Sequence, residues 1–224
     1  MNERGTTWTH PSVVALARDG DPLEVITTRA RQLVWQAVEK GWEGPPFDPF
    51  RLAELLGIKT VPREDIRDAR IIPVGGNRLA IEFNPNRPRG RLRYSLAHEL
   101  AHALFPDCGE TIRNRSHRNE ISGDEWQLEM LCNVAASELL MPTGTFPELA
   151  NEEDLSIAHL MALRQQFDVS SEALLLRVVR LTSHPCFMFA AAYFRQTPFS
   201  GVARRSASRI LGLKSGPAMW PVSN

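Results

Sequence analysis

From Asp21 onward the chain takes on a helical rhythm. Leu23, Ile26, Ala30, Leu33, Val34, Ala37 and Val38 recur on one stripe, Asp21-Pro22 supplies a cap and a first-turn proline, and Gly41 suits the far end. The twenty residues before it show no such period and are expected to be loosely ordered. A linker, WEGPPFDPF, leads to a second start signal at Asp48-Pro49, and the short helix FRLAELL closes at Gly57. Between Ile58 and Asn84 the pattern shortens to strand: IKTVP, ARIIPV and RLAIEFN, with Gly75-Gly76-Asn77 as a hairpin turn. NPNRPRGR then reads as loop, because prolines and a glycine interrupt it.

Helical spacing returns over about residues 91–105, ending at Pro106, and again from Asp124 to Met141, stopped by Pro142. The polar stretch DCGETIRNRSHRNEISG joins the two. Shorter helices fit NEEDLSIAHLMALRQQF, with Asn151 or Asp154 as cap, and SSEALLLRVVRL, with Ser170 or Ser171 as cap. CFMFAAAYFR reads equally as a strand or a buried helix. The order of helix, strands and helices predicts an α+β fold: a small antiparallel sheet packed on a helical core, with an adjoining helical subdomain resembling helix-turn-helix. The expected divisions are an N-terminal helical extension over 1–46, a core over 47–145, a helical subdomain completing it over 146–195, and a flexible tail rich in Arg, Ser, Gly and Pro over 196–224.

Composition narrows the function classes. Hydrophobic residues at 43% allow a sizeable core, and Lys+Arg equals Asp+Glu at 26 each, so no overall field draws nucleic acid or anionic membrane. No apolar run is long enough to span a bilayer, and MNERGTTWTHPS lacks the basic-then-apolar order of a secretion signal. Cys108, Cys132 and Cys186 are odd in number and widely spaced, which favours free thiols and a cytoplasmic location.

The candidate chemistry lies in RLRYSLAHELAHALFPDC. Positions four apart on a helix share a face, so His98 and His102 can aim two imidazoles at one point, with Glu99 beside it to take a proton from water. That is the mechanical content of H-E-x-x-H, and zinc is its usual ion. Tyr94, Leu96, Ala97, Leu100, Ala101, Leu104 and Phe105 make this helix apolar on most sides, hence buried. Two histidines and a glutamate buried without a partner would lose several kcal/mol of solvation, which a cation would offset. Catalytic zinc also needs a third protein ligand. The helix DEWQLEMLCNVAASELLMP offers Glu125, Glu129 and Glu138. Glu129 lies close to the apolar stripe of Leu128, Leu131, Cys132, Ala135, Ala136 and Leu139, against the competing reading of a glutamate solvated or ion-paired at the stripe's edge.

AHELAH followed by EMLCNVAASELLMP resembles the ImmA/IrrE family of zinc metallopeptidases, whose members carry H-E-x-x-H and then E-x-x-x-N running into a Leu-Leu-Met-Pro-like ending. Here Glu129 follows His102 by 27 positions, and the likeness extends over roughly residues 47–182, through FDPFRLAELLGI upstream and HLMALRQQFDVSSEALLLRVVRL downstream. The resemblance implies one Zn2+ held by His98, His102 and Glu129, Glu99 as catalytic base, and Asn133 orienting a ligand imidazole. Two departures stand out: Leu131 occupies a place where many members have a second acidic residue, and Ala101 replaces a frequent glycine. The implied function is zinc-dependent endopeptidase cleavage of a protein substrate, a helix-turn-helix transcriptional repressor, releasing stress-response or mobile-element genes. Some relatives carry a further C-terminal sensory domain, and the residues after Arg195 are too few to build one.

No residue identifies itself as the oxyanion donor. Tyr94 fits core packing better, and His117, His10, His159 and His184 read as exposed or structural. Cys132, in the Glu129 helix and so placed near the site, reads as a small buried residue before a thiolate ligand, and Cys108 has no clear metal role. The rival is a DNA-binding helix-turn-helix regulator with a structural metal site, built on residues 159–181 with Arg164, Arg177 and Arg180 as its cations. Against it, Leu174, Leu175, Leu176, Val178 and Val179 spend the second helix on burial, so direct nucleic-acid binding is not expected. No membrane partner is expected, and the sequence specifies no particular oligomeric state.

Overall fold

The computed structural model of the chain describes residues 7–75, 78–109, 123–146 and 156–181. The chain divides into two units, 1–188 and 189–224, and everything described lies in the first. In order, the described elements are α1 (Pro11–Ala17), α2 (Pro22–Glu39), α3 (Pro49–Leu55), β1 (Lys59–Pro62), β2 (Ala69–Pro73), β3 (Leu79–Phe83), α4 (Arg89–His102), α5 (Glu125–Leu140), α6 (Ile157–Phe167) and α7 (Ser171–Leu181). The expected α+β class is the observed one.

The helix punctuation read from the sequence has direct geometric counterparts. An Asp21 carboxylate oxygen accepts from the Leu23 amide at 3.0 Å, and Asp48 does the same for Phe50 at 3.0 Å, each just before a first-turn proline. Both helices close in a Schellman turn. Gly41, at φ +84, donates to Val38 O while Trp42 donates to Ala37 O; Gly57, at φ +69, donates to Glu54 O while Ile58 donates to Ala53 O. A Cβ at either glycine would be strained in this left-handed backbone. Ser170, one of the expected caps, holds α7 through its hydroxyl, while α6 is capped by Ser156, which the sequence reading did not single out. The alternatives Asn151 and Asp154, the tail over 196–224 and the segment CFMFAAAYFR lie outside the described residues.

The sheet order is β1-β3-β2. The β2–β3 pairing is the antiparallel hairpin, with Ile71 opposite Ile81, and Gly75 at φ +90 opens its turn. β1 differs from the antiparallel arrangement expected: it pairs parallel to β3, Thr60 beside Ile81. The chain passes over β3 through residues 63–68, which Asn84 holds by donating to Glu64 O and Ile66 O while its amide donates to Asp68 O. Hydrophobic alternation specifies which face of a strand is buried but not which neighbour it takes.

A further correction concerns the first twenty residues, which are ordered from residue 7. The Gln127 side chain reads this segment as a neighbouring strand would, accepting from the Thr9 and His10 amides at 2.8 and 2.9 Å and donating to Thr7 O at 3.0 Å. His10 then caps α1, whose Val13 and Leu16 are buried. The tethering partner is more than a hundred residues away, so no local period announces it.

One apolar cluster unites α1, α2, α3, the sheet, α4, α5, α6 and α7, including Ile26, Leu33, Leu52, Ile81, Leu96, Leu100, Leu131, Leu139, Phe167 and Leu174. Within it sits a charge. Glu138 is fully buried, and it accepts from Arg177, from the Thr143 amide at 2.9 Å and from the Thr143 hydroxyl. Arg177 also donates to Met141 O. Burial opposes the Glu138 carboxylate, but Arg177 and Thr143 outweigh it and hold its pKa below the ordinary range. Its contribution to stability is therefore present above the ordinary glutamate pKa and is lost as the pH falls through the depressed one. Replacing Arg177 by Leu should cost about 3 kcal/mol at neutral pH, because the buried charge is then left to Thr143 and to the half-exposed Arg31 at 3.4 Å. Urea denaturation at pH 7 and pH 4.5 should show the penalty shrinking in acid, where the stranded carboxyl can protonate; an equal cost at both would contradict the assignment.

Candidate metal centre

The site is made where α4 lies against α5. Both helices present small residues on buried faces, Ala97 and Ala101 on α4 and Cys132, Ala135 and Ala136 on α5, which permits close approach. Glu129, Cys132 and Asn133 stand at i, i+3 and i+4, on one face of α5. His98 and His102 stand at the same spacing on α4, their rings 5.2 Å apart and nearly perpendicular.

Glu129 faces both imidazoles. Its Oε2 lies 3.0 Å from His98 Nε2 and its Oε1 lies 3.8 Å from His102 Nε2. One donor atom from each residue falls within 4.8 Å of the other two. The far nitrogens are held from α5 as well. His98 Nδ1 donates to Asn133 Oδ1 at 3.1 Å, and His102 Nδ1 lies 3.4 Å from Cys132 Sγ. Tyr94, one turn before His98, donates its hydroxyl to the same Asn133 oxygen at 3.0 Å. Burial pushes the Tyr94 phenol above its ordinary pKa, so it stays protonated and remains a donor. Glu99 points toward the sheet, where an oxygen of its carboxylate accepts from the Ile71 amide at 2.8 Å.

These donors fit a divalent cation of the zinc type. Two imidazole nitrogens and a carboxylate oxygen converge, and a hydrogen bond to each Nδ1 turns the matching Nε2 inward. The His102 side chain is only 7% exposed while that of Glu129 is 39%, so one side of the cluster opens to solvent. A three-donor set with an open side is the arrangement that leaves a position for water or substrate.

The sequence-predicted residues divide cleanly. His98, Glu99, His102, Glu129 and Asn133 come together. The other two acidic candidates on α5 are engaged elsewhere, Glu125 with His10 Nε2 at 3.2 Å and Glu138 with Arg177. His117 and His184 lie outside the described residues, and Cys108 is buried. Three participants escaped the sequence reading. Tyr94 has a hydrogen-bonding role beside its packing one, Cys132 meets an imidazole, and Ile71 acts through its backbone, which carries no side-chain signal. The i+3 spacing of Cys132 from Glu129 was the available clue. Of the cations invoked for DNA reading, Arg177 is buried against Glu138, while Arg180 is exposed.

An H-E-x-x-H helix crossed by a helix bearing a third ligand-type carboxylate defines a centre of the metallopeptidase class. The comparison of families agrees: residues 54–179 match the Peptidase M78 model, the IrrE N-terminal-like domain, and the chain belongs to that family, the ImmA/IrrE metallopeptidases. It is 33% identical over 108 residues to the radiation response metalloprotease IrrE of Deinococcus deserti, covering 47% of this chain and 38% of that protein. It is 28% identical over 126 residues to the protein of the same name from Deinococcus radiodurans, covering 53% and 38%. The chain thus spans about two fifths of the length of these curated relatives. Among solved structures, a Mycobacterium tuberculosis transcriptional regulator superposes with a TM-score of 0.46 at 17% identity, covering 68% of this chain and 46% of that one. Among the described residues no helix is long and apolar enough to cross a membrane.

In the metal-free protein, burial disfavours the charged form of His98, but the hydrogen bond to Glu129 and the charges of Glu99 and Glu129 outweigh it and raise the pKa above the ordinary imidazole range. The resulting stability is present below the unfolded imidazole pKa and is lost as the pH rises through the raised one. Glu129→Gln should lower the His98 midpoint, read by NMR of the imidazole protons in chelator-treated protein. An unchanged midpoint would show that the carboxylate does not face this ring in solution.

Proposed function

We propose that the chain is a zinc-dependent endopeptidase in which His98, His102 and Glu129 hold the ion, Glu99 is the catalytic base, and Asn133 orients His98. The observation that carries this reading is the convergence of two Nε2 atoms and the Glu129 carboxylate, with Glu99 adjacent on the same helix. Zinc in such a donor set brings the pKa of a water molecule to about 7 and polarises a carbonyl oxygen. The chain's own residues do the rest. Glu99 is steadied by the Ile71 amide, so its carboxylate is aimed before substrate arrives. It accepts a proton from the attacking water as the carbon–oxygen bond forms. As the carbon–nitrogen bond breaks, it returns that proton to the leaving amine. Asn133 keeps the His98 proton on Nδ1, and Cys132 is placed to do the same for His102.

The substrate would be an extended polypeptide. Among the described residues β2 is an edge strand, paired on one side with β3, and the Ile71 amide turns to the other side. In an antiparallel pair the carbonyl of such a residue turns outward with its amide, so β2 presents backbone groups along which a peptide can lie. A helix-turn-helix repressor as the particular substrate and a role in stress response rest on the family resemblance, and a cytoplasmic location rests on the odd number and wide spacing of the cysteines. Direct DNA reading by α6 and α7 is disfavoured by the burial of Leu163, Phe167, Leu174, Arg177 and Val178, although Leu176 and Val179, expected to be buried with them, are exposed.

Glu99→Gln should retain about one zinc per chain while cleavage of a helix-turn-helix repressor falls by about 10²–10⁴-fold, the usual worth of a general base. Metal analysis beside a timed gel assay reads both. Full cleavage by this variant would remove Glu99 from the chemistry, and cleavage that survives exhaustive chelation would remove the metal.

A further inference from the structure

Between residues 63 and 91 seven arginines stand against four acidic residues, although the chain as a whole is neutral. Three of these arginines are matched: Arg63 pairs with Asp65 and Glu82, Arg70 with Glu82, and Arg89 with Asp168. The exception is at Asp68, where three guanidiniums converge on one carboxylate. Arg91 grips both oxygens at 2.7 Å, Arg87 lies 3.2 Å from Oδ1, and Arg67 lies 3.6 Å from Oδ2. The knot therefore carries two positive charges beyond the one Asp68 balances. It is also a built feature. Asp68 O is pinned by the Asn84 amide at 2.7 Å, and Arg87 donates to the Arg67 carbonyl, while Arg67 and Arg91 keep 86% and 51% of their side chains exposed.

Its position relates it to the metal centre. Two pairings join α4 to β2 and to the residue just before it: Ile71 with Glu99, and Asp68 with Arg91. Asp68 precedes Ile71 by three strand residues, about 10 Å at 3.3 Å per residue. Arg91 precedes Glu99 by eight helical residues, about 12 Å at 1.5 Å per residue. Both routes put the surplus charge the length of about three extended residues from Glu99, along the β2 edge.

We propose that Arg67, Arg87 and Arg91 form a specificity subsite for the carboxylate of an aspartate or glutamate about three residues from the scissile bond of the substrate. The proposal rests on the endopeptidase reading and adds a sequence preference to it. Arg91 stays committed to Asp68, and Arg67 and Arg87 supply the donors to the incoming carboxylate. Because the site is exposed, the gain is modest and salt-dependent.

The test is cleavage of a proteome-derived peptide library by the zinc-loaded protein, read by mass spectrometry, followed by kcat/KM on matched Glu and Gln peptides. We expect acidic residues to be enriched at one position about three from the cut, with a preference of about fivefold at low salt that fades toward unity at high salt. Arg67→Gln combined with Arg87→Gln should bring the Glu-to-Gln ratio to about one. Arg67→Glu combined with Arg87→Glu should turn the preference toward Lys and Arg, an inversion that a merely structural cluster would not give. Circular dichroism melting confirms that the variants fold; if the glutamate pair does not, the glutamine pair decides. Cleavage without an acidic preference, or with one that survives both double variants, overturns the subsite and leaves the peptidase standing. No cleavage of any peptide or repressor overturns both.

Discussion

The structure turns on one carboxylate. Glu129 reaches across from α5 with an oxygen toward each Nε2 of α4, 3.0 Å from His98 and 3.8 Å from His102. A carboxylate among two partly buried imidazoles is tolerable as an ion pair in the metal-free chain and favourable with a divalent cation between the three. Both states demand the same thing, that two helices separated in sequence by a long polar segment meet at a fixed distance and rotation. A turn of either helix by one residue would swing its ligand-type side chains about 100° off the shared point.

The remainder of the fold holds that crossing in place. α5 is secured at both ends: near its start Gln127 and Glu125 grip the segment around His10, and near its finish Glu138 is locked to Arg177 and Thr143. α4 is anchored at its first turns by Arg93, which donates to Phe47 O at 2.6 Å and to Asp168 O at 3.0 Å. Gly90 lies so close to the Ser170 backbone that a Cβ there would come within 3.0 Å of its nitrogen. The turn between α6 and α7 thus braces the start of α4, and Arg177 of α7 braces the finish of α5. The sheet contributes the Ile71 amide that aims Glu99.

What could be read from the sequence followed a simple physical line. Features set by neighbours a few residues apart were legible: the aspartate caps of α2 and α3, the glycines that end them, the faces of α4 and α5, and the pairing of His98 with His102. The Glu129 assignment needed one step more, a polar residue at the edge of an apolar stripe together with the family's motif spacing. Features created by distant chain segments were not legible. The parallel pairing of β1 depends on how residues 63–68 pass over β3. The order around His10 depends on a glutamine in α5. Cys132 was read as a small core residue, and its approach to His102 arises from the helix crossing itself. Ile71 participates through an amide that every residue except proline possesses.

The most direct test of the account is X-ray absorption spectroscopy of the zinc-loaded full chain, compared with Glu129→Ala. The account predicts a first shell of nitrogen and oxygen at about 2.0–2.2 Å with the multiple scattering of two imidazoles and no sulfur, losing one oxygen ligand in the variant. A sulfur scatterer at about 2.3 Å, a single imidazole, or a spectrum indifferent to residue 129 would contradict it.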